Sequence, residues 1–298
     1  MQSRVPPYFD FLIERFHHGL ADRFVHVGHW DAPPALGAHE PLRVEDIHRA
    51  VERLTEVLVG MADCHDGQRV LDVGCGFGGT VQHINQRFGS MSLVGLNIDP
   101  RQLDICRQLE SLHHNTLQWV DADACHLPFP DQSFDRVLCI EAMFHFVSRR
   151  TFFREVARVL GPGGTFVASD IVLARSAGQA EVPRSRIEAS LRDGYGPWPD
   201  LWGEDADHRE LGGAAGLRCT RLLDATSQTR PTHRFLVPDD ADAGSDAGAP
   251  LMRAAAMLKW LHDKNHLRYL YMRFDKPPSD GGNQTGPTLP SAEETSAP

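Results

Sequence analysis

The sequence predicts an α/β fold with a mainly parallel sheet, on three observations. From residue 69 onward, short apolar runs alternate with segments of helical spacing, the pattern of right-handed strand–helix–strand crossovers. The first run, Val70 to Val73, passes straight into Gly74-Cys75-Gly76-Phe77-Gly78-Gly79, and a helix opens at Thr80. Such a corner offers main-chain N–H groups to a ligand without a Cβ in the way, at the positive end of a helix dipole. Finally, residues 1–62 and about 175–216 break the alternation and carry helical patterns of their own. They predict an N-terminal helical segment and a helical cap inserted after the fifth strand.

Each element has its own signal. Tyr8 to Phe16 has helical apolar spacing, and His26-Val27-Gly28-His29-Trp30 reads as a loop with aromatic and imidazole groups. Val44, Ile47, Val51, Leu54 and Leu58 mark an amphipathic helix that stops at Gly60. Strands are expected at 69–73, 91–98, 117–120, 134–140 and 165–173. Between them lie helices at 79–88, from Asp99-Pro100 to about 111, and at 151–160. Asp99 reads as an N-cap with proline at N1, and Gly161-Pro162-Gly163-Gly164 closes the last of these helices. The cap reads as one or two helices interrupted by Gly194-Tyr195-Gly196-Pro197-Trp198-Pro199. Leu217–Ala225 then forms a strand, Leu251–Asp263 a helix and His266–Phe274 the last strand. The acidic stretch Pro238–Pro250 is expected to be a loop, and residues 277–298 a disordered tail.

Composition narrows the function. With 40 acidic against 30 basic residues, the net charge of −10 argues against nucleic acid or an anionic membrane surface as partner. No run approaches the ~18 apolar residues of a membrane span. The N-terminus lacks the apolar core of a signal peptide. Six cysteines are scattered without a C-x-x-C pair, as in a reduced, cytoplasmic protein. No histidine–carboxylate group has ligand spacing, so no metal is expected. A homodimer is left open.

Two ligand classes compete for the glycine corner. Gly74-x-Gly76-x-x-Gly79 fits a dinucleotide fingerprint, which alone is a weak signal. Asp72 points elsewhere, because a carboxylate repels a pyrophosphate but attracts a sulfonium or an ammonium. Asp72-x-Gly74-x-Gly76-x-Gly78 resembles the first motif of class I S-adenosylmethionine (SAM)-dependent methyltransferases. Asp131-Gln132-Ser133-Phe134-Asp135-Arg136-Val137 and Arg158-Val159-Leu160-Gly161-Pro162-Gly163-Gly164 resemble their later motifs. The likeness covers about 65–275 and is nearest to small-molecule enzymes related to the ubiquinone, tocopherol and sugar or polyketide O-methyltransferases. It implies a Rossmann-like seven-stranded sheet with the last strand antiparallel, and SAM as cofactor across the strand ends. The methyltransferase domain would span 63–276.

The resemblance also implies site residues. Asp72 and the backbone of Gly74, Cys75, Gly76 and Gly78 would hold the methionine end of SAM. Asn97, followed by Ile98, stands where relatives carry an acid for the ribose hydroxyls; an amide recognises a diol less well. Asp123 and Ala124 match the adenine position. Glu141 and His145 follow the fourth strand, beside the transferring methyl. His145 has the chemistry of a general base for a hydroxyl acceptor, with Asp170 orienting its imidazole; a plain packing histidine is the alternative. Glu141 is the rival base, and it would suit C- or N-methylation. Tyr195, Trp198 and Trp202 are expected to line an acceptor pocket, and His26 and Trp30 to fold over SAM. The reading is an O-methyltransferase for a small, secondary-metabolite acceptor. The rivals are an NAD-dependent oxidoreductase and a SAM-binding protein without turnover.

Overall fold

A computed structural model describes residues 5–6, 8–32, 43–175, 182–203, 205–237 and 249–279. Its strands are β1 (Arg69–Val73), β2 (Ser92–Asn97), β3 (Thr116–Asp121), β4 (Phe134–Cys139), β5 (Leu160–Ala174), β6 (Trp202–Gly203), β7 (Arg218–Asp224) and β8 (Leu267–Asp275). The helices are α1 (Tyr8–His17), α2 (Val44–Ala62), α3 (Gly79–Arg87), α4 (Pro100–Cys106), α5 (Arg149–Val159), α6 (Arg184–Tyr195), α7 (Asp205–Ala214), α8 (Thr226–Leu236) and α9 (Pro250–Asp263).

The sheet order is β3-β2-β1-β4-β5-β8-β7. The first five strands of that path run parallel, and β8 is antiparallel to both β5 and β7. The mainly parallel sheet with its last strand antiparallel is the one expected. The two-residue β6, which the sequence reading missed, pairs in parallel with Leu173 and Ala174 of β5. Central strands are covered on both faces, so they read as continuous apolar runs. Successive residues feed opposite layers. Val70 and Leu138 join the layer of Leu54, Leu58 and Tyr269, whereas Leu71 and Val137 join that of Phe152, Phe166 and Phe274. In the second layer Phe153 meets Phe274 edge-on at 5.1 Å, and each such buried ring contributes roughly 1.5–3 kcal/mol.

Several boundaries differ from expectation. α2 runs through Gly60 to Ala62, and Asp63 at φ 54° ends it with an N–H bond to the Gly60 carbonyl. Burying Met61 and Ala62 outweighs the roughly 1 kcal/mol cost of an exposed helical glycine. α4 stops at Cys106 instead of about 111. α5 hands directly to β5, which absorbs Gly161–Gly164. α8, which carries Pro231 inside it, had no counterpart in the sequence reading. It forms nonetheless, with Thr226, Thr229 and Thr232 buried. Gly194, expected to interrupt the cap, lies inside α6, where a Cβ would come within 2.3 Å of the Ala254 Cβ on α9. Residues 238–248 of the expected acidic loop and 280–298 of the expected tail lie outside the described residues.

Candidate active site

The carboxyl ends of β1 to β4 open onto a cavity of about 590 Å³, where sheets of this kind bind their ligands. Asp72 sits in β1 between Gly95 of β2 and Leu138 of β4. It is buried, and its Oδ2 has no hydrogen-bond partner. Burial pushes its carboxyl pKa up to about 7, because an unpaired buried charge is costly. Gly74 follows at φ 75°, and a Cβ there would lie 2.4 Å from that of Ala142. The N–H groups of Gly74 and Cys75 both donate to the Leu96 carbonyl. They are spent on building the corner, contrary to the expectation that they hold the ligand. Gly76 lines the cavity, whereas Gly78, at φ 83°, caps α3.

Asn97, Ile98, Asp123 and Ala124 all line the cavity. Asn97 is tied down at both ends of its amide: Oδ1 accepts from the Ile98 N–H at 2.9 Å, and Nδ2 donates to Gln102 Oε1 at 2.8 Å. Gln102 is buried and also lines the cavity. Sequence reasoning missed it, although a glutamine on the inner face of a short helix was a readable signal. Asp123 Oδ1 accepts from the Cys125 N–H at 2.8 Å, which fixes its turn.

Past β4 the chain strains. Glu141 adopts φ 52°, a left-handed conformation that is uncommon for a non-glycine residue. Its N–H donates to Ser169 Oγ, and its Oε2 accepts from the Tyr269 hydroxyl at 2.7 Å and the Val27 N–H at 3.0 Å. Burial raises the Glu141 carboxyl to about 7. His145 lies on the one-turn 3₁₀ segment Met143–His145, and its Nε2 meets the Tyr8 hydroxyl at 3.1 Å. Burial pushes its pKa down to about 4, with the Pro197 carbonyl opposing. Tyr8 belongs to α1, which also turns Phe9 and Leu12 to the cavity. His26 lines it as expected, but Trp30 does not; its indole N–H donates to Thr232 Oγ1 at 3.2 Å. Arg23, also missed, donates from Nη1 to the carbonyls of Phe77 and Ile105 at 3.0 Å.

Two expectations need correction. Asp170 does not orient His145. Its carboxylate accepts from Arg149 Nε at 2.6 Å and Nη2 at 3.1 Å, and bonds His208 Nε2 at 2.8 Å. The three side chains are almost fully buried. Arg149 Nη1 also donates to the Asp200 carbonyl at 2.6 Å, so the cluster ties the cap to β5. The aromatic residues of the cap back the wall instead of forming it. Trp198 packs its ring 4.3 Å from Phe144 and 5.9 Å from His145, and Tyr195 stands edge-on to Tyr8 at 5.3 Å. Trp202 turns to the other side, donating to Glu188 Oε1. The cap surfaces that line the cavity are Arg192, Gly196, Pro197 and Pro199.

With the geometry in place, known proteins can be compared. A family described as "Methyltransferase domain" matches residues 71–168. Methyltransferase GfsG of Streptomyces halstedii is 32% identical over 241 residues, covering 78% of this chain and 80% of that protein. The chain belongs to the SAM-dependent methyltransferases. Another relative of this methyltransferase is O-methyltransferase resE of Aspergillus sclerotiorum, 28% identical over 242 residues (80% of this chain, 86% of that one). Among solved structures, a geranyl diphosphate C-methyltransferase from Streptomyces coelicolor A3(2) superposes with a TM-score of 0.65 at 19% identity, covering 91% of this chain and 98% of that chain. A mycolic acid cyclopropane synthase gives a TM-score of 0.68 at 16% identity, covering 92% and 100%. At such identities the likeness shows the class I fold.

The methyltransferase site fits its cofactor. The unpartnered Asp72 Oδ2 calls for a cation such as the SAM ammonium, and a side chain at Gly74 would fill the cradle. Among the described residues no group of three or more His, Cys, Asp or Glu side chains is placed to hold a metal ion.

Proposed function

We propose that the methyl group goes to a hydroxyl oxygen of an apolar small-molecule acceptor, with His145 as general base. One observation carries this reading: a neutral imidazole lines the cavity with its Nε2 held by the Tyr8 hydroxyl at 3.1 Å, while its Nδ1 has no hydrogen-bond partner among the described residues and is free to take a proton. When bound, SAM supplies an activated methyl on a sulfonium whose departure as a neutral thioether needs no acid. The protein's tasks are therefore alignment and removal of one proton. As the new O–C bond forms, the hydroxyl proton becomes strongly acidic, so even a base with pKa about 4 can take it.

The cavity walls support an apolar acceptor. Val5, Pro6, Phe9, Leu12, Phe146 and Pro197 line it, and several relatives bear the name O-methyltransferase. Asp72 would bind the cofactor ammonium, Asn97 with Gln102 the ribose, and Asp123 with Ala124 the adenine edge. Of the N-terminal segment, residues 8–26 serve as a lid, since Tyr8 and His26 reach the cavity from them.

The test is transfer of labelled methyl from SAM to a panel of aliphatic alcohols, phenols and fatty acids, with products read by NMR. An O–CH₃ product is expected. His145→Ala should lower kcat by roughly 10²–10⁴-fold with S-adenosylhomocysteine (SAH) affinity retained. A new C–CH₃ bond, lost in Glu141→Gln and kept in His145→Ala, would replace this reading with carbon methylation.

A further inference from the structure

The cavity contains two carboxylates that form no ion pair among the described residues, the buried Asp72 and the half-buried Glu141. They arise at the ends of β1 and β4, which are neighbours in the sheet. The hydrogen bonds that reach the Glu141 carboxylate come from neutral donors, Tyr269 and Val27, and both fall on Oε2. Oε1 is the oxygen left for the cavity. Burial, not mutual repulsion, raises both groups to about 7. Each carboxylate thus faces the cavity as a separate site for positive charge, and its ionised form is costly to bury unless a cation pairs with it.

SAM carries two positive centres, the ammonium and the sulfonium. SAH keeps only the ammonium. Asp72, beside the glycine corner, takes the first. We infer that Glu141 reads the sulfonium charge and makes the site prefer SAM to SAH, so that the spent cofactor is released. The strained backbone at Glu141 and the Tyr269–Ser169 support, with oxygens 3.1 Å apart, hold the carboxylate in place for that role. This inference rests on the SAM site but not on the acceptor, nor on His145 as base.

Calorimetry on the full chain without acceptor tests it, using SAM, SAH and sinefungin, which carries a protonated amine in place of the methylsulfonium. Glu141→Gln should weaken SAM and sinefungin at least tenfold while leaving SAH within twofold. Asp72→Asn should weaken all three alike. Equal losses of SAM and SAH in Glu141→Gln would reduce Glu141 to a prop for Tyr269 and Val27, and no loss would remove it from recognition altogether. Should that variant not fold, Tyr269→Phe gives a second measurement. Removing the hydroxyl that stabilises the ionised carboxylate should narrow the preference for SAM over SAH at neutral pH, and an unchanged or wider preference overturns the inference. Absence of SAH binding by the unaltered protein would be a different failure, that of the cofactor site itself.

Discussion

Asp72 shows how one residue couples binding to stability. Its carboxyl is raised to about 7 in the folded chain by burial, against roughly 4 in an unfolded one. A raised carboxyl favours the folded state below about pH 4, and that contribution is lost as the pH climbs through 7. The unliganded protein should therefore lose stability over this window. Asp72→Asn should flatten the loss in thermal melts taken from pH 4 to 8, while weakening SAH binding by about 1.5–3 kcal/mol, the range for a charge-assisted hydrogen bond. A slope identical to that of the unaltered protein would mean that Asp72 is not a buried, unpaired acid. His145 moves the other way. Its pKa of about 4 keeps the imidazole neutral, in its base form, from pH 5 upward, so an acid limb near neutrality belongs to the two carboxylates.

At the scale of elements, the site depends on pieces with very different holds on the core. None of the residues of α1 is buried, yet this helix supplies Tyr8 to His145 and pairs Asp10 with Arg101 at 2.6 Å. An element so lightly packed opens easily. Hydrogen exchange should find the amides of 8–17 fast in the free protein and slowed when SAH fills the cavity beneath them; equal rates in both states would argue against a lid. The cap has a firmer anchor. Arg149 on α5, Asp170 on β5 and His208 on α7 form a buried charged cluster, and removing one partner leaves the others uncompensated. Asp170→Ala should cost about 3–5 kcal/mol and appear first as a lowered melting temperature. A normal melting temperature with a collapsed kcat would restore the role of orienting the His145 imidazole that the sequence suggested.

For the whole molecule, the sheet brings together groups that are remote in sequence, and among the described residues no helix is long and apolar enough to cross a membrane. Because a side chain serves as proton acceptor in the proposed reaction, methyl transfer should persist in EDTA. Loss of activity that Mg²⁺ restores would assign the cavity carboxylates to a metal and remove the need for His145 as base.

The parallel sheet, the glycine corner and the place of Asp72 were legible in the sequence because they rest on local rules. An apolar run, a glycine at positive φ and a helix start are each decided within a few residues. The cavity-lining residues Asn97, Asp123 and Glu141 were legible through the family resemblance, at strand ends that periodicity locates. Partnerships were not. Tyr8 meets His145 across 137 positions of chain, and Asp170 turns to Arg149 and His208, which stand 21 and 38 positions away. Nothing in local spacing ranks those partners over His145. Only the packing of α1, α5 and the cap against the strand ends decided which buried charge would be paired and which left open to a ligand, because the cost of an unpaired charge depends on the burial that tertiary structure creates.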